Sequence, residues 1–149
     1  ESSKSVGLIS SGDQPYLILP GTGEEHLKDI LRSLALMKAA GSIPIDELLV
    51  SQAERFEAGA AVIVIMPSQD RAVAPPLRHA INRGLIANAI LLDSRSFGGG
   101  TGASFNARQL SSGGFRVYVV RRGQDISAAL DSRVFSLNLP LVGEKVLSD

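Results

Sequence analysis

The chain has no cysteine and no tryptophan, and aromatic residues make up only 5% of its 149 positions. Without cysteine there is no disulfide, no thiol nucleophile and no cysteine zinc site, a composition that suits a reducing compartment. So few aromatic rings argue against a base-stacking surface for single-stranded nucleic acid. Neither sign of charge is in excess, with 15 basic and 15 acidic side chains. A balanced chain has no overall field to draw it to nucleic acid or anionic lipid, so neither is expected as a partner. No apolar run approaches the roughly 18 residues of a membrane span. The start, Glu1-Ser2-Ser3-Lys4-Ser5, is polar and lacks the pattern of a signal peptide. There is no internal repeat, no Gly-x-Ser-x-Gly, and no Lys-Ser or Lys-Thr behind a glycine loop.

What the chain does have is Ala60-Ala61-Val62-Ile63-Val64-Ile65-Met66, an unbroken apolar run with Gly59 before it and Pro67-Ser68 after it. A strand apolar at every position is expected at the centre of a parallel sheet with helices on both faces. Upstream, Ser11-Gly12-Asp13-Gln14 joins two short apolar runs, which reads as a β-hairpin whose second strand opens at Pro15. Leu27, Ile30, Leu31, Leu34 and Ala35 recur at helical spacing and predict a core-facing stripe, with Lys38 in the last turn and Gly41 as the stop. A second helix from Pro44 would place Ile45, Leu48, Leu49 and Phe56 on one face and end at Gly59.

Pro75 and Pro76 fit only the first turn of a helix over 73–83, capped by Gly84. Strands are expected within 85–93 and at 115–120, with a short helix between them from about 104 to 110. Asp125 is placed to cap a last helix through Leu130. The pattern predicts a single α/β domain: a three-layer, Rossmann-like fold with a mainly parallel sheet, right-handed crossovers and an antiparallel edge hairpin. The tail, 134–149, carries alternating Phe135, Leu137, Leu139 and Val142 and reads equally as an added strand or a loose end.

Loops at the carboxyl ends of parallel strands line the crevice where such folds take ligands. Asp93, Ser96, Phe97, Gly98 and Gly99 lie in one such loop, and Arg121 and Arg122 follow the next strand. Together they are the candidate ligand or partner loop, the arginines suiting an acidic contact. The glycine spelling is not Gly-x-Gly-x-x-Gly, so a plain linker explains it as well. Gly21-Thr22-Gly23 precedes a helix, but Glu24 and Glu25 would repel a phosphate there. His26 and His79 lie on helices with no serine nucleophile in a recognisable motif, as surface histidines do.

Several of these segments resemble one family. They are Val6-Gly7-Leu8-Ile9 with its hairpin, Leu19-Pro20-Gly21-Thr22-Gly23, and the helix Glu25-His26-Leu27-Lys28-Asp29-Ile30-Leu31-Arg32-Ser33-Leu34-Ala35. Leu92-Asp93 with Ser96-Phe97-Gly98-Gly99, and the stretch from Gly114 through Arg121-Arg122-Gly123-Gln124-Asp125-Ile126, complete the set. The succession is similar to the von Willebrand factor A-like domain of a bacterial domain-of-unknown-function family, number fifty-eight. The resemblance covers about 6–130 and makes 1–133 a partial domain of that type.

It implies a strand ahead of Val6 ending in Asp-x-Ser-x-Ser, a motif that occurs nowhere in the chain. That strand would sit beside 60–66, so the resemblance implies a vacant neighbour there, to be filled by a second copy, by the tail or by a longer protein. It also implies a Mg²⁺-like site at Ser68 and Asp70, with Ser42 as a stand-in for a threonine. That set is incomplete without the motif, and the same two residues suit the start of the following helix. No cofactor is expected from the chain alone.

The resemblance further implies a non-catalytic interaction module of a membrane-anchored protein, cytoplasmic in this segment. A MoxR-type AAA+ ATPase would be its protein partner, and the chain would associate with itself. The alternative reading of the residues is a small Mg²⁺-dependent nucleotide- or phosphoester-acting enzyme built on Asp70, Asp93 and the glycine loops.

Overall fold

The computed structural model describes residues 4–67 and 72–131. The chain divides into two compact units, Glu1–Gln52 and Ala53–Asp149. The fold is α/β: a parallel three-stranded sheet with helices, and an antiparallel two-stranded hairpin that forms a sheet of its own.

In the first unit, β1 (Val6–Ser11) pairs with β2 (Pro15–Gly21), and Pro15 opens the second strand. Helices α1 (Glu24–Leu36) and α2 (Ile45–Gln52) follow. Helix α1 contains the whole stripe but ends before Lys38, expected in its last turn. Met37 turns to an extended conformation and its N–H closes on the Ser33 carbonyl, which leaves Lys38 outside the last turn. Gly41 does not stop the helix. It is required because a methyl there would overlap the Ser11 carbonyl. Phe56 also falls outside α2, beyond a 3-10 turn over Ala53–Arg55.

The stripe Leu27, Leu31 and Leu34 is exposed, and neither helix of this unit has a buried residue. Polar ties join its elements instead. A ring nitrogen of His26 lies 2.6 Å from the Val6 carbonyl oxygen, so His26 fastens α1 to β1. Asp13, in the hairpin turn, accepts from the Lys38 N–H at 3.3 Å and from the Tyr16 hydroxyl at 3.0 Å. The Lys38 N–H, then Tyr16, hold its carboxyl below the usual carboxylate range. A lowered pKa contributes stability above the unfolded value that is lost as pH falls through the folded one. Melts of the wild type are therefore expected to steepen in pH dependence below about pH 4, and Asp13→Asn to flatten that limb.

In the second unit the sheet order is β3-β4-β5, from β3 (Ala61–Pro67), β4 (Ile86–Leu92) and β5 (Arg116–Val120), all parallel. Among the described residues the run 60–66 is thus an edge strand of this sheet rather than its centre as expected, and β4 is the central one. Helix α3 (Ala74–Asn82) connects β3 to β4, with Pro75 and Pro76 in its first turn. Helix α4 (Ser104–Ser112) connects β4 to β5. Two right-handed crossovers stepping in the same direction put both helices on one face. The core lies there: Val62, Val64 and Met66 from β3, Ala87, Ala89 and Leu91 from β4, Val117 and Val119 from β5, against Leu77, Ala80, Ala107 and Leu110.

Short α5 (Ile126–Leu130) packs on β5, capped as expected by Asp125, whose carboxylate accepts the Ala128 N–H at 2.8 Å. Gly84, at φ +84°, ends α3 in the left-handed conformation that only glycine enters freely.

Burial along β3 alternates strictly, although its sequence does not. Ile63 and Ile65 are 58% and 62% exposed, and Ile86 beside them is 57% exposed. The expectation of burial on both faces is not met along β3: among the described residues of this unit, α3 and α4 cover the face of Val62, Val64 and Met66, and Ile63 and Ile65 on the other face stay exposed. The tail 132–149 and its alternating apolar residues lie outside the described residues. Among the described residues no helix is long and apolar enough to cross a membrane.

Candidate functional site

The carboxyl ends of β4 and β5 carry the loop singled out in the sequence. Parallel pairing aligns Leu92 with Val120, so Asp93 and Arg121 emerge side by side. The Asp93 N–H donates to the Val120 carbonyl at 2.9 Å, extending the ladder by one bond. Its carboxylate is then used twice. Oδ1 accepts the Ala103 N–H at 3.2 Å, at the entry to α4, and Oδ2 accepts from the Arg121 Nε at 3.2 Å. The Asp93 side chain is only 13% exposed, whereas Arg121 is 55% exposed. A carboxylate so placed is compensated by charge and hydrogen bonds in the folded state.

Ser96 makes the second tie. Its hydroxyl donates to the Asp93 carbonyl at 2.8 Å and accepts the Arg122 N–H at 3.0 Å. Asp93, Ser96, Arg121 and Arg122 are therefore brought together as one latch between two loops. Arg122 takes part through its backbone.

The glycine-rich stretch is ordered by its own backbone. Ser94–Phe97 forms a 3-10 turn, ended by Gly98 at φ +94°. The Gly99 N–H donates to the Ser94 carbonyl at 2.7 Å, and the Arg95 N–H to the Thr101 carbonyl at 3.2 Å. A methyl at Gly99 would come within 2.9 Å of the Ser94 oxygen, whereas one at Gly100 meets nothing within 4 Å. Gly99→Ala is expected to lower the stability of this unit by about 1–2 kcal/mol, as other overpacked sites do. Gly100→Ala leaves it nearly unchanged, and paired urea melts check the contrast. Phe97 stays 52% exposed on this ordered loop.

The remaining candidates fall elsewhere. Ser68 and Asp70 lie outside the described residues. Ser42 belongs to the first unit, between α1 and α2. His79 is exposed on α3. Among the described residues there is no cluster of three or more His, Asp or Glu arranged to hold a metal.

A second feature is the outer edge of β3, beside which the resemblance implies a vacant neighbour. The register Ala61↔Ile86, with the Ile86 N–H on the Ala60 carbonyl, fixes which β3 groups point to β4. In a parallel ladder these alternate along the strand. Val62, Val64 and Met66 therefore bond to β4, and Ala61, Ile63 and Ile65 direct their N–H and C=O groups to the outer edge, where no strand pairs among the described residues. Pro67 occupies the next outward position and has no N–H to offer. The signal available in the sequence was a long strand with no charge in it and a proline at its end, the profile of an edge left open to pairing.

No family model, no curated protein and no solved structure matches the chain.

Proposed function

We propose that the chain is a non-catalytic protein-interaction module whose working surface is the open edge and uncovered face of the parallel sheet. The observation that carries this reading is the coincidence of two features on one strand. Ile63 and Ile65 are exposed side chains, and their backbone donors and acceptors are turned to the open side of β3. Such an edge is a template for another strand, and its apolar side chains lose water on pairing.

The latch at Asp93 supports the same reading. A general base or metal ligand needs a carboxylate face turned to substrate, whereas both Asp93 oxygens are engaged in holding two loops together. The resemblance set out above makes a MoxR-type AAA+ ATPase the first partner to test, within a membrane-anchored protein, with self-association as a second use of the surface.

The test is binding of the purified chain to a purified MoxR-type ATPase, measured by calorimetry alongside thermal melts with Mg²⁺, ATP and GTP. Binding that is weakened by Ile63→Lys and Ile65→Lys, with no melting shift from Mg²⁺ or nucleotide, is the expected result. A melting temperature raised by Mg²⁺ and nucleotide together, with turnover lost in a still-folded Asp93→Asn, would favour the enzyme instead.

A further inference from the structure

We infer that the partner of the β3 edge is the β3 edge of a second copy, paired antiparallel about a two-fold axis through Ile63. This rests on the interaction reading above and gives it a register. Ala61, Ile63 and Ile65 each present one outward N–H and one outward C=O. Set antiparallel with Ile63 opposite Ile63 of the second copy, Ala61 falls opposite Ile65 and Ile65 opposite Ala61. Every pair is then of the hydrogen-bonded kind, in which both residues exchange N–H···O bonds.

All outward groups of the three residues are satisfied in both copies. A shift by two residues in one direction brings Ala61 against Pro67, which has no donor, and the opposite shift leaves Ile65 without a strand partner. The ladder also closes at both ends. Gly59, the next residue outward at the start of the strand, already donates its N–H to the Gly84 carbonyl at 2.9 Å. Pro67, opposite it, donates nothing.

Charge allows the pairing. A strand meeting its own copy sets like side chains together near the axis, where any charge would repel its twin. No charged residue lies between Glu57 and Pro67. Side chains facing each other across an antiparallel pair share a face. Ile63 therefore meets Ile63 on the uncovered face, flanked by Ala61 against Ile65, and the core face of each sheet continues into the other. The result is one six-stranded sheet with a closed isologous interface.

The experiment is the mass of the full chain in solution as a function of concentration, for wild type, Ile63→Lys and Ile65→Lys. Both substituted side chains are exposed, so the lysines leave the subunit folded, and circular dichroism verifies this. The expected result is a concentration-dependent dimer in the wild type and a tenfold or greater weakening in each variant. The absence of native cysteine makes Ile63→Cys a second readout. A hydrogen-bonded antiparallel pair holds Cα atoms about 5.5 Å apart, within disulfide range. Ile63→Cys should oxidise to a covalent dimer much faster than Val50→Cys, an equally exposed control on α2.

A wild type that stays monomeric would overturn the pairing, as would a dimer indifferent to both lysines. A monomer whose Ile63 and Ile65 amides resist exchange would overturn it too, by placing another segment of the same chain on the edge. A monomeric chain that still binds the ATPase would remove the pairing and leave the interaction reading in place.

Discussion

Leu91→Ala is expected to destabilise the second unit by about 3 kcal/mol, within the range for truncating a buried leucine. Leu91 has no exposed surface, sits on the central strand and faces the layer of α3 and α4, where Leu77 is equally buried. Its loss removes apolar contact and leaves a cavity between elements that regular hydrogen bonding holds in place, so little of it can collapse. Ile65→Ala on β3 is the informative partner. The same type of deletion on the uncovered face is expected to cost under about 1 kcal/mol, because the side chain is already 62% exposed. A sheet buried on both faces would make the two losses similar. Urea melts of the two variants, with unchanged dependence on urea concentration, measure the difference directly.

Asp93→Ala carries the second largest effect, about 2–3 kcal/mol, the upper range for hydrogen bonds that involve a charge. The Ala103 N–H at the entry to α4 loses its acceptor, and Arg121 loses the anion that holds it beside β4. Asp93→Asn separates the two contributions. Its amide oxygen still accepts from Ala103 while the charge facing Arg121 is gone, so about half the loss should return. Because Arg121 is largely exposed, the ionic part is weakened by solvent and should diminish further in high salt. A general base or metal ligand at Asp93 would show the reverse pattern, with function lost in Asp93→Asn at little cost in stability.

Much of the local structure was legible because it depends on near neighbours in sequence. The turn Ser11-Gly12-Asp13-Gln14 specifies a hairpin, Pro75-Pro76 specifies a helix start, and Asp125 caps its helix three residues upstream of the N–H it accepts. The alternation of helices with strands after residue 60 specified the parallel sheet.

Strand position was not legible. The run 60–66 is apolar throughout and 86–92 is apolar but for Asn88, so composition separates them little and pairing distinguishes the edge from the centre. Hydrophobicity alone could not show that Ile63 lacks a covering layer while Val64 has one. In the same way, the stripe on α1 has the spacing of a buried face and is exposed.

The candidate loop does lie at the carboxyl ends of β4 and β5, but its contacts depend on distant partners. The Asp93 carboxylate meets Arg121, 28 positions away, and the Ser96 hydroxyl meets the Arg122 N–H, 26 away. Gly99 is required by its approach to the Ser94 carbonyl rather than by a positive φ, a constraint that composition cannot reveal.

The most direct measurement of the account is residue-resolved amide exchange along β3 in dilute solution, where copies are apart. Val62 and Val64, bonded to β4, should exchange slowly, and Ile63 and Ile65 should exchange orders of magnitude faster, slowing as concentration rises. Equal, slow exchange at all four amides in the dilute chain would contradict the open edge on which the proposed function depends.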